Sequence, residues 1–371
     1  MIREAKLNDM MEKKAGMETK ELQSKIISFL RFPLIVGVVI LHSYLESVSA
    51  GGVSLLNPAE FPFCMNLSYF LTKAFTAFVP AFFLISGYLF FLKFKVFTRQ
   101  GYLDKVKKRV KSLLVPYLFW NSLILLLLMV QQSLVPGLGA GGASLIKNYA
   151  LIDWVNAYWL PISGQLWFVR DLFIAGILSP LIYYALKYCK AYTLVFLGIL
   201  WFSGMVMQNI QNLTIISLFF FTTGAYLGLY DKDIIGITRP FFKPSVFIFV
   251  VVSIIMMCCQ KYPTLSGFLL RINILVELVI LFNVTAYLIS VRKWKINSFL
   301  SKSSFFIYIF HYQFTFLFLR LACKYLAPQS ELTLLLIYLS CPVVVISLGL
   351  AVYYFLDRYF PKALVIVAGG R

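Results

Sequence analysis

The sequence predicts an all-α integral membrane protein, a bundle of about ten transmembrane helices with both termini in the cytoplasm. Hydrophobic residues make up 60% of the chain and charged residues only 13%, which is too apolar for a soluble globular protein. Apolar segments recur along almost the whole chain, and most approach the roughly 20 residues that a helix needs to cross a bilayer. Basic residues crowd alternate loops, as is typical of a polytopic membrane protein.

Ten apolar segments are predicted to span the membrane. In chain order they cover residues 26–48, 69–92, 110–132, 165–186, 191–207, 211–229, 244–260, 268–290, 303–322 and 333–357. They divide the chain into a cytoplasmic N-terminal tail (1–25), one transmembrane domain (26–360) and a cytoplasmic C-terminal tail (361–371). No appended soluble domain is expected.

The distribution of basic residues predicts the orientation of these spans. The loops between the basic ones contain only Lys147, Lys261 and Lys324 as cations. This alternation places both termini in the cytoplasm and the loop 133–164 outside. The formal net charge of +19 follows from the basic loops, which face anionic lipid headgroups, so no nucleic-acid partner is expected. Membrane lipids are the expected partners of these loops.

Cysteine and histidine usage argues against a metal centre. The six cysteines are scattered, with no CxxC pair and no disulfide framework. Only two histidines occur, and they lie far apart in the sequence. Because neither residue type shows metal-ligand spacing, no metal site is expected.

The first predicted helix carries three ionisable side chains. Arg31 and His42 are eleven residues apart, so a helix would place them on nearly the same face with a rise of ~16 Å. Glu46 follows four residues later, where it would neighbour His42, raise its basicity and fix its tautomer. Alternatively, Arg31 snorkels to the interface and His42 only contacts another helix. We favour a functional site, because each ionisable group inside a membrane is costly.

The second predicted helix and the loop after it add a small residue and two cations. Ser86 precedes a glycine, and such a pair allows another helix to approach closely. Lys108 and Arg109 lie in a basic run at the cytoplasmic side. They could bind phosphate groups or serve only as determinants of orientation.

Two later helices carry further candidates. Trp167 and Arg170 lie near the start of the fourth predicted span, where a tryptophan is ordinary but a membrane-embedded arginine is not. In the ninth span, Tyr308 and His311 share a helical stripe and can face one cavity. The alternative for this stripe is a polar contact between helices.

Six ordered motifs resemble the membrane-bound acyltransferase 3 family, over about residues 25–360. They are Arg31 and His42 with ten residues between them, segment 82–88, the basic run to Arg109 and Pro116, and segments 166–170, 219–228 and 304–311. The first pair followed by the Ser-Gly motif is the most specific part. Phe32 and Pro33 depart from many relatives, although proline is tolerated in the first helical turns.

The resemblance implies an enzyme that transfers an acyl group, often acetyl, from cytoplasmic acyl-CoA such as acetyl-CoA to a hydroxyl of a cell-surface or lipid-linked carbohydrate. It implies a multi-pass protein of the cell membrane, either a bacterial inner or a plasma membrane. Donor binding is then assigned to Arg31, Ser86, Lys108 and Arg109, catalysis to His42 and Glu46, and acceptor binding to Trp167, Arg170, Tyr308 and His311. His42 would act as general base or as transient acyl carrier.

One alternative comes from another functional class. A transporter or flippase of glycan or lipid intermediates would also have about ten helices and buried charges. It should show inverted repeats with paired broken helices, and we find none in the sequence. The acceptor, the acyl chain length and the oligomeric state, including a homo-oligomer, stay open at this point.

Overall fold

The computed structural model describes residues 2–50, 53–92, 94, 96–134, 146–204 and 214–370. Side chains are described from residue 19 onwards within these ranges, except at residues 50 and 134. Regular structure in the described chain is helical, apart from one antiparallel pair of two-residue strands, Ser49–Ala50 and Val53–Ser54. The all-α fold predicted from the sequence is therefore confirmed.

The described residues form sixteen α-helices. They are α1 (Ile2–His42), α2 (Pro62–Ala74), α3 (Phe78–Phe91), α4 (Arg99–Arg109), α5 (Val115–Leu134), α6 (Leu151–Trp159), α7 (Leu166–Ile177), α8 (Ser179–Cys189), α9 (Ala191–Ser203), α10 (Ile215–Leu229), α11 (Ile234–Thr238), α12 (Phe242–Cys258), α13 (Pro263–Ser290), α14 (Ser298–Leu326), α15 (Glu331–Tyr359) and α16 (Pro361–Ala368). A π-helical turn, Val110–Leu114, joins α4 to α5. Three 3-10 turns occupy Leu45–Ser47, Ile146–Asn148 and Arg239–Phe241.

Seven helical stretches in the described ranges are long and apolar enough to cross a membrane, which confirms a multi-pass membrane protein. They are Thr19–His42, Pro62–Phe91, Arg99–Ser133, Ile234–Cys258, α13, α14 and α15. An eighth results if α7 and α8, which are bent by 61°, form one span. The predicted spans 191–207 and 211–229 correspond to the shorter helices α9 and α10 and lie partly outside the described residues. The count of ten stays a prediction.

The first span ends earlier than the sequence predicted. Continuation of α1 would require the Ser43 amide to donate to the Val39 carbonyl, four residues back. Instead the Ser43 hydroxyl donates to that carbonyl (2.9 Å), and the Ser43 amide donates to Ile40 (3.0 Å). The amide hydrogen bond to Ile40, three residues back, is of the kind that tightens the last turn of a helix, and α1 ends at His42. The prediction that residues 26–48 form one helix is therefore wrong at its C-terminal end.

Small residues bring α3 and α10 into close contact in the bundle. A side chain on Gly87 would lie 2.0 Å from the Phe221 carbonyl oxygen, and one on Gly224 would lie 1.9 Å from the Leu84 carbonyl oxygen. Only glycine permits so close an approach of two backbones. The close packing predicted from the Ser-Gly motif is confirmed for Gly87.

A buried acid holds the start of α3. The helical stretch Pro62–Phe91 is interrupted between α2 and α3, which leaves the amide of Ala77 without a helical acceptor at that break. The Glu277 carboxylate of α13 accepts from this amide (3.0 Å) and also from the Asn273 side chain. The acid thereby fixes where the helix that carries Ser86 begins.

The predicted C-terminal tail is folded against the bundle. Residues after α15 form α16, and the Val367 carbonyl accepts a hydrogen bond from the Trp120 indole of α5 (2.9 Å). Gly369 has a φ of +70° and lies so close to Ser112 that a side chain there would clash with its backbone. The chain end therefore covers the π-helical turn that follows Arg109.

Candidate functional site

A cavity of about 590 Å³ lies inside the bundle between α1, α3, α7, α14 and the π-helical turn. This volume is within the range of small-molecule binding sites. Its lining residues are Arg31, Ile35, Phe82, Ile85, Ser86, Leu89, Phe90, Arg109, Ser112, Leu113, Phe168, Leu172, Ser301, Lys302, Ser304, Phe305 and Tyr308. Four of the side chains predicted to form a site, Arg31, Ser86, Arg109 and Tyr308, therefore share one cavity.

One end of the cavity is cationic and rich in hydroxyl groups. Arg31 of α1, Arg109 at the end of α4 and Lys302 near the start of α14 all line it. Arg109 donates to the Ser86 hydroxyl (2.9 Å) and to the Leu172 carbonyl (2.5 Å). These contacts orient the guanidinium, and clustered cations of this kind suit the oxygens of a phosphate or pyrophosphate.

A π-helical turn and a neighbouring glycine accommodate the Arg109 side chain inside the bundle. The π-helical turn begins directly after it, and such turns are frequent at functional sites because they redirect side chains. The guanidinium lies over the rings of Phe90 and Phe221, 4.7 and 5.3 Å from their centres. Gly176 leaves room for the arginine stem, since a side chain there would lie 2.6 Å from the Arg109 Cδ atom.

The opposite end of the cavity is apolar and closed. The Phe168 and Tyr308 rings meet there, with centres 5.1 Å apart. The Tyr308 hydroxyl donates to the Gln165 carbonyl (2.5 Å), and the Gln165 amide donates to the Ile309 carbonyl (2.8 Å). Gln165, directly before α7, thus fixes the Tyr308 side chain at this end of the cavity.

A pair of histidines lies directly beyond this closed end. The rings of His42 and His311 have centres 5.3 Å apart, and the His311 ring lies 5.8 Å from Tyr308. His311 is fully buried, and its Nδ1 atom lies 2.6 Å from the Tyr308 carbonyl oxygen. Its buried Nε2 atom has no hydrogen-bond partner among the described residues. Tyr312 packs edge-on against His42 at 5.0 Å.

The cavity does not extend to His42 in this structure. On α1 the lining residues are Arg31 and Ile35, and His42 is seven residues further on, a rise of ~10 Å. The helix from Arg31 to His42 is continuous, as predicted. Tyr308 both lines the cavity and contacts His311, so it forms the boundary between the cavity and the histidine pair.

Glu46 does not neighbour His42 on a helix. Because α1 ends at His42, Glu46 lies in the following 3-10 turn, where it is exposed and accepts a hydrogen bond from the Tyr44 hydroxyl. Burial and the neighbouring Glu46 carboxylate raise the pKa of Tyr44. The predicted helical adjacency of Glu46 and His42 is therefore wrong, because the helix ends at His42. A catalytic role for Glu46 stays a prediction.

Three other candidates lie outside the cavity lining. Lys108 is exposed on α4, one position from Arg109. Trp167 packs against Phe83, with ring centres 5.9 Å apart. Arg170 is buried and donates to Asp171 (2.8 and 2.9 Å) and to the carbonyl of Trp159 (2.7 Å).

The buried ion pair between Arg170 and Asp171 is satisfied by further hydrogen bonds with neighbouring residues. Asp171 is fully buried, and its second carboxylate oxygen accepts from the amide and hydroxyl of Thr214, at 3.0 and 2.8 Å. Buried ion pairs are tolerated when hydrogen bonds satisfy them in this way. The geometry therefore favours a structural role for the pair, in which Asp171 joins α7 to the start of α10 and Arg170 joins α7 to the end of α6. Acceptor binding by Arg170 and Trp167 stays a prediction.

Sequence reasoning missed Lys302 and Gln165. Lys302 lies two residues before Ser304 and thus near the helical stripe that faces the cavity, a spacing that could have identified it. Gln165 gives no sequence signal of its own, because its role depends on a loop that packs against α14. Lys302 replaces Lys108 as the lysine of the cationic end.

The fold and the cavity define a polytopic membrane protein with a cavity inside its helical bundle. A family model described as an acyltransferase domain matches residues 25–355. The chain therefore belongs to the acyltransferase 3 family, as its motifs predicted.

One curated relative matches along nearly the whole chain. The succinoglycan biosynthesis protein ExoH of Rhizobium meliloti (strain 1021) is 25% identical over 367 residues, which cover 93% of this chain and 92% of the relative. No solved structure matches the chain.

Proposed function

We propose that the protein is a membrane O-acyltransferase that moves an acyl group, in the first instance acetyl, from cytoplasmic acyl-CoA to a hydroxyl of a carbohydrate. The observation that carries the proposal is one internal cavity with arginines at one end and, beyond Tyr308 at the other, a pair of histidines. Membership of the acyltransferase 3 family supports the transfer of an acyl group. The acyl-CoA donor and the carbohydrate acceptor go beyond what family membership establishes, and both belong to the proposal.

The chemistry of the cavity fits a thioester donor that carries phosphates. Arg31, Arg109 and Lys302 would hold the phosphate oxygens through charge-assisted hydrogen bonds. The apolar middle of the cavity, with Ile85 and Phe305, suits the extended pantetheine arm. The acyl group would then lie at the Phe168–Tyr308 contact, and transfer requires these rings to separate so that the thioester meets His42.

His42 would supply the base for the transfer. As general base it takes the proton of the acceptor hydroxyl while the oxygen forms a bond to the thioester carbonyl carbon. The carbon–sulfur bond then breaks, and the CoA thiolate leaves and takes up that proton. In the alternative, a His42 ring nitrogen attacks the thioester carbonyl carbon, the carbon–sulfur bond breaks, and the CoA thiolate leaves with the proton from the ring. The acceptor hydroxyl then attacks the acyl-imidazole, its oxygen forms the ester, and the nitrogen–carbon bond breaks as the hydroxyl proton passes to the imidazole. Both routes use the same ring and the same donor cavity.

The acceptor is assigned by chemistry and by similarity. Succinoglycan biosynthesis, in the name of the relative, involves a carbohydrate, so a hydroxyl of a surface or lipid-linked carbohydrate is the proposed acceptor. It would approach the histidine pair from the side opposite the cationic cavity, near Glu46 and the loop before α7. Tyr308 and His311 would lie between donor and acceptor.

This direction of transfer requires that both termini and the cationic end of the cavity face the cytoplasm. Cysteine labelling tests this orientation after Cys189, Cys258 and Cys259, which are not buried, have been replaced by alanine. In that background Asn148→Cys should react with an impermeant thiol reagent in intact cells, because Asn148 is exposed in the predicted outer loop. Lys108→Cys, exposed on α4, should react only after permeabilisation. The reverse labelling pattern would refute the orientation.

Transfer of labelled acetyl groups tests the function itself. Membranes that contain the protein should pass radiolabel from acetyl-CoA to carbohydrate, and mild base should release the label as acetate from the ester. Membranes with His42→Ala protein serve as the background. If label appears only in lipid or protein, the acceptor is wrong. If no label leaves acetyl-CoA and the CoA thiol is not released, the proposal of an acyl-CoA donor fails.

A further inference from the structure

The histidine pair beyond the cavity contains a buried nitrogen that the reaction as described does not use. His311 is fully buried, and its Nε2 atom lacks a hydrogen-bond partner among the described residues. A buried polar atom without a partner costs free energy, so such an atom in a structured interior indicates a function or a missing contact. The nearest titratable ring is that of His42.

The protonation pattern of His311 follows from its other nitrogen. Nδ1 lies 2.6 Å from the carbonyl oxygen of Tyr308 and 3.3 Å from that of Ile307. A carbonyl oxygen only accepts, so Nδ1 must carry the hydrogen. In the neutral ring Nε2 is then an acceptor with a lone pair and no hydrogen. The backbone of α14 itself thereby fixes the tautomer of this side chain.

The distance between the rings allows this acceptor to reach His42. A ring nitrogen lies about 1.1 Å from its ring centre, so centres 5.3 Å apart leave about 3 Å between nitrogens that point at each other, which is hydrogen-bond distance. The rings are tilted by 39° and no such bond is formed in the structure as it stands. A rotation of the His42 ring would form it.

We propose that His311 is a positioning residue whose Nε2 atom accepts the N–H of His42. That bond holds His42 in one tautomer and leaves the lone pair of its second nitrogen for the reaction, as orienting partners do for other catalytic histidines. This inference rests on the proposed function. It gives His311 the role of fixing the His42 tautomer, which the sequence had predicted for Glu46. The Tyr308 carbonyl extends the chain of contacts to the residue that closes the cavity.

Two substitutions separate the acceptor nitrogen from the rest of the side chain. In His311→Gln the amide reaches about as far as Nε2 and can accept from His42. In His311→Asn the amide lies where Nδ1 was, so it can still donate to the Tyr308 carbonyl but offers nothing to His42. Both variants are neutral and polar, so the contrast between them reports the Nε2 atom rather than the loss of a ring.

Nitrogen-15 NMR of the histidine side chains tests the inference without any assay of transfer. The chain contains only two histidines, so histidine-labelled protein gives two imidazoles, and each variant at residue 311 assigns the remaining one. In the wild type we expect the Nδ1–H tautomer for His311 and one dominant tautomer for His42. His311→Asn should convert His42 to a mixture of tautomers, and His311→Gln should keep one dominant.

Activity provides the second readout. We expect about a 10²-fold decrease in kcat for His311→Asn, with KM for acetyl-CoA and the thermal unfolding midpoint unchanged, and a smaller decrease for His311→Gln. A His42 tautomer that is the same in both variants and the wild type would overturn the positioning role, whether or not the protein transfers acetyl groups. An altered tautomer in a protein without acetyl transfer would support the positioning role and reject the proposed function.

Discussion

His42→Ala is expected to abolish acyl transfer in a protein that still folds. The substitution removes the side chain that is proposed to take the acceptor proton or to carry the acyl group. Loss of a general base typically lowers the rate by ~10²–10⁴-fold, and loss of a nucleophile can lower it further. The measurement is the initial rate of label transfer from acetyl-CoA per amount of folded protein, with the thermal unfolding midpoint as a check of folding.

A neighbouring residue provides the matched control for this variant. Leu41 precedes His42 on α1 and is also only partly buried, so Leu41→Ala removes a similar volume from the same turn of helix. It should retain most of the activity. Glu46→Gln should lower the rate only partially, because Glu46 is exposed and bonded to Tyr44. Equal rates for the wild type and a stable His42→Ala protein would exclude His42 from the reaction.

Arg31→Ala is expected to weaken binding of acyl-CoA by about 10- to 150-fold. Hydrogen bonds to charged groups contribute about 1.5–3 kcal/mol, and that range corresponds to this change in dissociation constant. Arg31 is exposed towards the cavity, so its removal leaves no buried partner unpaired and the protein should remain folded. Arg31→Lys should restore part of the affinity, because lysine keeps the charge but not the bidentate geometry. Binding is measured by calorimetry with CoA on purified protein.

A lysine on the same helix controls for the loss of charge alone. Lys25 lies on the exposed side of α1, where it forms an ion pair with Glu21 (2.6 Å). Lys25→Ala removes the same formal charge outside the cavity and should leave CoA binding almost unchanged. If both variants lose affinity equally, the effect comes from the general surface charge and not from the cavity. If neither does, Arg31 has no part in donor binding.

The sequence predicted much of the polar lining of the cavity, although it assigned Tyr308 to acceptor binding and the other three residues to donor binding. Arg31, Ser86, Arg109 and Tyr308 lie on four different segments, yet each was singled out as a polar residue inside or beside an apolar helix, and all four line one cavity. This works because a membrane helix must turn its polar side chains towards the bundle interior. Burial alone therefore brings such residues together.

Local hydrogen bonds and long-range packing were not predictable in the same way. At the end of α1 the Ser43 amide donates to Ile40 rather than to Val39, and helical periodicity gives no sign of this local change. The proximity of His42 and His311 depends on how α1 packs against α14, which no local pattern contains. The separation between cavity and histidines depends on Tyr308, whose hydroxyl is fixed by a loop from another part of the chain.

Whether the cavity presents a thioester donor to the histidine pair can be seen in a structure of the protein with a non-hydrolysable acetyl-CoA analogue. We expect phosphate density beside Arg31 and Arg109, a pantetheine arm along the cavity, separated Phe168 and Tyr308 rings, and the acyl group against His42. Density for the analogue in the open basic pocket lined by Lys25, Lys293 and Trp294 on the bundle surface, with the internal cavity unchanged, would contradict this expectation.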